Sequence, residues 1–384
     1  MVIVGALVLL ALVAGGFVLV TRQGPIPTTK IEGTGSSEGL AASGPRLAKG
    51  DIVDVIPQDA IPAIDEPRFQ SISEVDWLAD KEPVIAIEIN GEARAYPLQI
   101  MTWHEIVNDA VGGTPLAVTF CPLCNTAVAY ERPEIDGKVT TFGTSGKLIN
   151  SNLLMYDRAT NSLWPQVTGE ALTGDLVGTQ LTHYPARIVS WQEFKTAFPD
   201  GAVLSRDTGH ERDYGENPYP GYDDIDSAPF LFRGEVDGRL AAVERVLGIA
   251  IENDIVAFPY FRLKEQASGW AAVANVTIAS RPVTVFWKAG TASALDGADI
   301  ATSRDVGAAV AYSRAVANKT LTFAVQGGEI VDLETRSTWN LLGEAIDGRL
   351  EGRALEPLDA IDSFWFDWAA FHPDTDIWRG SSDV

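Results

Sequence analysis

The segment Val84–Pro97 (VIAIEINGEARAYP) decides the fold of this chain. Its two apolar stretches flank Asn90-Gly91, a dipeptide that favours a two-residue turn between antiparallel strands. A similar segment, Val246–Pro259 (VLGIAIENDIVAFP), occurs much later in the chain. The two segments predict the same kind of β-hairpin at two places, and therefore a body built from strands in two related parts.

Further matches occur in the same order along both parts. The pattern D-x-x-T-x-S-x-W starts at Asp157 and again at Asp332, and it predicts a turn capped by side chains and closed by a packed tryptophan. Ordered matches with drifting spacing are typical of a tandem duplication with insertions in its loops. We expect a first repeat at 51–205, a connector rich in Pro, Tyr and Asp at 206–240, a second repeat at 241–378, and a short tail at 379–384.

Each repeat is expected to have an α+β fold that is rich in strands, with mostly antiparallel sheet. Leu116–Phe120 (LAVTF) and Ala127–Arg132 (AVAYER) have the composition of strands. Leu98–Val111 places apolar residues at helical spacing and ends before a pair of glycines, so we expect a helix there. A second, closing helix is expected over Arg187–Phe198.

Two segments of different character precede the first repeat. Residues 2–20 are apolar and uncharged, and a run of about 20 such residues can cross a bilayer as one helix. We expect 1–22 to be a transmembrane anchor, with a cleaved signal peptide as the alternative. Residues 23–50 are rich in Gly, Ser, Thr and Pro and are expected to form a flexible tether. We expect the body to lie outside the cytoplasm.

The charge and cysteine content exclude several classes of function. The 384 residues carry 29 basic and 52 acidic side chains, a net charge of −23. This charge repels phosphate backbones, so we expect no nucleic-acid partner, and the N-terminal helix makes the membrane the expected partner. The chain contains two cysteines, Cys121 and Cys124, too few for a disulfide scaffold or a four-cysteine metal site.

The CPLC motif at 121–124 and several other stretches of the chain are similar to those of a known family. The chain resembles the family of domain of unknown function 3179. The stretches that match are DAIPAIDEPRF (59–69), EPVIAIEINGEARAYPLQIMTWHEIVND (82–109), TFCPLCNTA (119–127), FGTSGKLINSNLLMYDRATNSLWPQ (142–166), RDYGENPYPGYDD (212–224) and RVLGI (245–249). The resemblance implies no activity, because none is assigned to the family, and it implies that the second cysteine is not shared by every member.

Comparison of the two repeats identifies chemistry that only the first contains. The second repeat has no cysteine, His104 corresponds to Gln266, and Met155 corresponds to Ile330. The first repeat also has extra residues in or near 143–152 (GTSGKLINSN), a polar loop of the kind that borders sites. The candidate site residues are therefore Cys121, Cys124, His104 and Met155.

Three hypotheses for the cysteine pair follow from this set. Thiolate, imidazole and thioether are ligands that suit a Cu(I) ion and, less well, Zn(II). A C-x-x-C pair also supports thiol–disulfide exchange, although the strand-like AVAYER after it argues against a thioredoxin fold, where a helix follows the motif. The third hypothesis is a structural disulfide or two buried small residues, in a non-catalytic envelope protein that binds a ligand or a protein.

One acidic group outside the repeats suggests calcium. Asp223, Asp224 and Asp226, together with Glu216, are oxygen ligands of the type that Ca²⁺ prefers. Their spacing lacks the full EF-hand loop, and a solvated acidic loop is the alternative that the sequence favours.

Overall fold

The structure, a computed structural model, describes residues 51–316 and 319–380. The expected transmembrane segment 1–22 and the tether 23–50 lie outside these ranges, as does most of the expected tail. None of the helices in the two ranges has the length and apolar character that crossing a bilayer requires. We call 51–205 the first half, 206–240 the connector and 241–380 the second half.

The described residues form 28 strands and four short α-helices, so the expected strand-rich character is confirmed. The strands of the first half are β1 (Ile52–Asp54), β2 (Phe69–Ser71), β3 (Pro83–Ile89), β4 (Glu92–Pro97), β5 (Ile106–Val111), β6 (Thr114–Cys121), β7 (Thr126–Glu131), β8 (Glu134–Ile135), β9 (Lys138–Val139), β10 (Phe142–Ile149), β11 (Asn152–Asp157), β12 (Leu163–Pro165), β13 (His183–Tyr184), β14 (Arg187–Ser190) and β15 (Ala202–Leu204). Those of the second half are β16 (Arg245–Ile251), β17 (Asp254–Pro259), β18 (Ala271–Ile278), β19 (Arg281–Lys288), β20 (Ala308–Ser313), β21 (Ala315–Val316), β22 (Lys319–Thr320), β23 (Phe323–Gln326), β24 (Glu329–Asp332), β25 (Thr338–Trp339), β26 (Ala345–Asp347), β27 (Ala360–Phe364) and β28 (Asp376–Ile377). The helices are α1 (Leu98–His104), α2 (Trp191–Ala197), α3 (Tyr260–Glu265) and α4 (Trp365–Phe371), with 3₁₀ turns at Ile72–Glu74 and Ile300–Thr302.

The hairpin expected at Val84–Pro97 is present as β3 and β4. Asn90 and Gly91 have φ angles of 52° and 80°, which are the positive values that a tight hairpin turn requires. This hairpin is the centre of a sheet ordered β14-β3-β4-β15-β2, and the second half has the corresponding order β27-β16-β17-β28. The pairs β4–β15 and β17–β28 are parallel, while the other pairings of the described strands are antiparallel. The expected mostly antiparallel sheet is therefore confirmed.

The remaining sheets also correspond between the halves. β5-β6-β7 in the first half has the order of β18-β19-β20 in the second, and β10-β11-β12 has the order of β23-β24-β25. The predicted capped turn occurs in both: Asp157 accepts hydrogen bonds from Thr160 N at 2.6 Å and from Trp164 Nε1 at 3.1 Å. The equivalent distances from Asp332 are 2.5 and 3.1 Å. In each turn a buried carboxylate is satisfied by the donors that the sequence pattern supplies.

The helix expected over Leu98–Val111 is wrong in its second part. α1 ends at His104, because Glu105 adopts a φ of 60°, which is incompatible with a continuing right-handed helix. Ile106–Val111 is instead β5, paired with β6. Most of β5 is buried and its residues include several β-branched ones, so the spacing of apolar residues does not separate strand from helix here.

The closing helix expected over Arg187–Phe198 also begins later than predicted. Arg187–Ser190 is β14, which pairs with β3, and α2 starts at Trp191. The hydroxyl of Ser190 accepts a hydrogen bond from Glu193 N at 3.1 Å and so caps the helix at this residue.

The halves interlock through their closing strands. β27 of the second half packs beside β7 of the first, and β14 of the first half packs beside β20 of the second. Phe120 and Trp164 of the first half therefore share one buried cluster with Phe364 and Trp368 of the second. Because β27 packs beside β7, the helix α4 that follows β27 lies next to the turn that carries the cysteines.

Candidate functional site

The two cysteines occupy the turn between β6 and β7. Cys121 is the last residue of β6, and the N–H of Cys124 donates to the Cys121 carbonyl at 3.1 Å. The turn places the two Sγ atoms 3.0 Å apart. Both thiols are free, and the residues are 2% and 0% exposed respectively. The structure thus confines two sulfurs close to each other and almost completely out of solvent.

Polar side chains of the first half surround the pair. Asn152 Nδ2 and the Ser151 carbonyl oxygen each lie 3.5 Å from Cys124 Sγ. Gln166 Nε2 donates to Thr119 Oγ1 at 3.0 Å and to the Thr126 carbonyl at 2.9 Å. Ser151 and Asn152 lie at the turn of the β10–β11 hairpin, whose strands are longer than those of the β23–β24 hairpin of the second half, so the longer hairpin borders the cysteines. Buried polar groups need such partners, and this network holds the surroundings of the sulfurs in one arrangement.

The second half contributes an acid to this network. Asp367 of α4 is fully buried, and its Oδ2 lies 3.1 Å from Ser363 Oγ, 3.2 Å from Thr126 Oγ1 and 3.4 Å from Asn152 Nδ2. Burial raises the pKa of Asp367 to about 7, against the lowering effect of hydrogen bonds that include one from the Cys124 thiol. Burial also raises the pKa of Cys124 well above its usual range. A carboxyl and a thiol are therefore neighbours in a buried site.

The connector covers the turn. The hydroxyl of Tyr222 donates to the Leu123 carbonyl at 3.0 Å and accepts from Phe230 N at 3.2 Å. Ser151 donates to the Phe230 carbonyl, and the ring of Tyr222 packs on Phe364 with 6.1 Å between centroids. The connector segment 222–230 thus forms the outer wall of the cysteine site.

His104 has partners other than the sulfurs. Its Nδ1 donates to the Pro62 carbonyl at 2.7 Å, because a carbonyl oxygen can only accept. Nε2 then accepts from the Tyr214 hydroxyl at 2.6 Å. Burial lowers the pKa of His104 to about 4, which favours this neutral form. Both ring nitrogens are therefore engaged within the protein.

Met155 is fully buried on β11. Its partners across the strands are Thr144 and Trp164. Among the described residues, no group of three or more His, Cys, Asp and Glu side chains is arranged to hold a metal ion. The structure brings together Cys121 and Cys124 of the four candidates, and we assign no metal ligand in this part of the chain.

Sequence reasoning missed the polar residues around the sulfurs, although a signal existed for some of them. Gln166 follows Trp164 by two positions, where the second half has Leu341 after Trp339. Thr126 begins β7, where β20 begins with Ala308. Polar residues at these positions in the first half alone point to a site. Asp367 carried no such signal, because it lies in the half without cysteines.

The acidic group of the connector has a different role from the calcium site considered above. Asp223 is buried and forms ion pairs with Arg245 at 2.7 Å and Arg304 at 3.0 Å. Burial acts to raise its pKa, but the two arginines and Ser293 together lower it. Asp223, Arg245 and Arg304 line a surface cavity of about 460 Å³ that the sequence did not predict. The cations beside Asp223 already balance its charge.

Comparisons with known proteins define the family of the chain but no activity. No curated protein and no solved structure matches it. A family model described as protein of unknown function (DUF3179) matches residues 58–375, which is most of the chain. The chain therefore belongs to the DUF3179 family.

Proposed function

We propose that Cys121 and Cys124 are a redox-active dithiol that forms an intramolecular disulfide by exchange with a disulfide substrate. The observation that carries the proposal is the 3.0 Å separation of the two Sγ atoms in a turn bordered by polar side chains. A disulfide bond is about 2.05 Å long, so about 1 Å of approach would close it. The second half has no cysteine, and its folding therefore needs no such pair.

The exchange transfers two electrons from the protein to the substrate. The Cys121 thiolate attacks one substrate sulfur, and the other substrate sulfur leaves as a thiolate and takes up a proton. Cys124 then loses its proton and attacks the Cys121 sulfur, so the second substrate sulfur also leaves and is protonated. The substrate disulfide is reduced to two thiols, while the protein dithiol is oxidised to a disulfide. Cys121 is the first nucleophile because it is 2% exposed, whereas Cys124 is fully buried.

The experiment determines the redox equilibrium of the full-length chain in detergent. The protein is equilibrated in glutathione buffers of graded potential, trapped by thiol alkylation and weighed by mass spectrometry. We expect one dithiol–disulfide transition that Cys121→Ser and Cys124→Ser both abolish. A pair that stays reduced in every buffer, or oxidised until the protein is unfolded, contradicts the proposal.

The burial of both sulfurs supports a second candidate, a binding protein in which the cysteines are structural. A disulfide that resists reduction until unfolding is the outcome that favours this candidate. Copper binding by the two sulfurs stays a prediction of the sequence. Stoichiometric Cu(I) uptake that Cys121→Ser removes would support it.

We infer further that the two halves are copies of one domain and that the body is held at a membrane. Corresponding sheet orders and the matching turns at Asp157 and Asp332 support the duplication. The apolar run at 2–20 and the Gly- and Ser-rich segment at 23–50 support an anchor and a tether, with the body on the exterior side. Fractionation of cells that express the chain, with protease added from outside, tests this location.

A further inference from the structure

The contact between the halves at the cysteine turn is built from both backbone and side chains. Phe364 N donates to the Cys124 carbonyl at 2.7 Å, which joins β27 to the turn directly. The next residues of the chain form α4, and α4 places Asp367 among Ser363, Thr126 and Asn152. The acid is therefore held by residues of both halves.

The two oxygens of Asp367 differ in their surroundings. Oδ2 lies within hydrogen-bonding distance of three donors, whereas the buried Oδ1 has no hydrogen-bond partner among the described residues. A buried carboxylate with an unsatisfied oxygen is costly, and the cost falls when the group takes up a proton. Asn152 Nδ2 lies 3.4 Å from Asp367 Oδ2 and 3.5 Å from Cys124 Sγ, so the carboxyl and the thiol flank the same amide.

We propose that Asp367 of the second half accepts the proton of Cys124 when the pair is oxidised. The inference rests on the proposed dithiol function. It assigns the half without cysteines a chemical part in the site, because the acid that completes the site comes from that half.

The proton moves in the second step of the exchange. Once Cys121 carries the substrate sulfur, the Asp367 carboxylate takes the proton of Cys124, and the resulting thiolate attacks Cys121. The electron pair of the broken bond leaves with the substrate sulfur, and Asp367 returns its proton to solvent or to that sulfur. The titratable groups that interact with Asp367 are Cys124 and Tyr222, while its other neighbours are uncharged hydroxyls and an amide.

The pH dependence has a defined direction. With a pKa of about 7, Asp367 is protonated in acid and ionised in base, and only the ionised form can accept the proton. The rate of ring closure, the step in which Cys124 attacks Cys121 and forms the intramolecular disulfide, should therefore rise as the pH increases through about 7. Each hydrogen bond donated to the carboxylate lowers this pKa, so the loss of a donor moves the rise to higher pH.

The other contact between the halves, where α2 of the first half meets β19 of the second, offers a matched control. Glu193 is the third residue of α2, as Asp367 is the third residue of α4. Glu193 contacts Lys288, the last residue of β19, with 2.8 Å between Oε1 and Nζ. Glu193 therefore lies at the end of β19, as Asp367 lies at the end of β6. The last residue of β19 is a lysine, whereas the last residue of β6 is Cys121.

The experiment mixes reduced full-length protein with 5,5′-dithiobis(2-nitrobenzoate). The first thionitrobenzoate marks the mixed disulfide, and the second marks ring closure. We expect the rate of the second release in the unmodified protein to rise through about pH 7. Asp367→Asn should remove this rise and slow the release at pH 8 by tenfold or more, whereas Glu193→Gln should leave it unchanged.

The outcomes separate this inference from the proposed function. If the unmodified protein releases fewer than two equivalents, the dithiol function itself fails. If it releases two and Asp367→Asn has the same pH profile, only the role of Asp367 is refuted. Should Asp367→Asn not fold, Thr126→Val removes a donor to Oδ2 and must move the rise to higher pH; an unmoved rise refutes the role.

Discussion

The substitution Glu105→Gln tests how the fold accommodates a buried acid at the end of α1. Glu105 is 9% exposed, and no described residue donates a hydrogen bond to its carboxylate. Burial raises its pKa from 4.5 to about 8. At about 1.4 kcal/mol for each pKa unit, keeping this carboxylate ionised in the folded chain costs about 5 kcal/mol as an upper value.

The sign of the effect follows from proton binding. Between pH 4.5 and about 8, Glu105 is ionised in the unfolded chain and protonated in the folded one. Its contribution to stability is therefore present below pH 4.5, is lost as the pH rises, and reaches its full loss above about 8. Gln has a similar shape and no charge, so the variant should match the unmodified protein at low pH and exceed its stability at pH 9.

Urea unfolding followed by tryptophan fluorescence measures the difference at pH 5, 7 and 9. We expect the free energy of unfolding of Glu105→Gln to exceed that of the unmodified protein increasingly along this series, by several kcal/mol at pH 9. Glu211→Gln, at an exposed position of the connector, is the control and should show no such trend. A constant difference between Glu105→Gln and the unmodified protein across the series would refute the reasoning.

Three further predictions concern the cover, the capped turns and the strand beside the site. Tyr222→Phe removes the hydrogen bond to the CPLC turn, so alkylation of the cysteines should become several-fold faster, which mass spectrometry after timed quenching measures. Asp157→Ala and Asp332→Ala each leave buried donors without an acceptor and should cost about 4 kcal/mol of stability, by equal amounts in urea unfolding. Unequal losses would contradict the equivalence of the turns. Gly146→Ala places a Cβ against a backbone oxygen at a φ of 72° and should lower the melting temperature by several degrees, whereas an unchanged value would show that the chain relaxes there.

The features that depend on neighbouring residues could be predicted from the sequence. Asn90-Gly91 determines its own turn, because the positive φ angles belong to those two residues. The capped turn at Asp157 is equally local, since its donors lie within seven residues of the acid. The strand after CPLC was expected and is present as β7, which sets this pair apart from a motif followed by a helix.

The end of a helix was harder to predict where a single residue with an unusual backbone angle stops it. Glu105 ends α1 because its φ angle is positive, and the type of its side chain does not predict that angle. The apolar residues on both sides are buried in either structure, so their spacing does not reveal the change.

By itself, the sequence determined that the chain is rich in strands, that its two parts carry matching patterns, and that its two cysteines are three residues apart. These properties are local or follow from comparing one stretch with another. Only the tertiary structure decided that Asp367 lies in the cysteine site and that His104 binds Tyr214. The physical reason is distance along the chain: Asp367 reaches the cysteine turn because each half packs its closing strand on the other, and such packing depends on the fit of whole surfaces rather than on any short pattern.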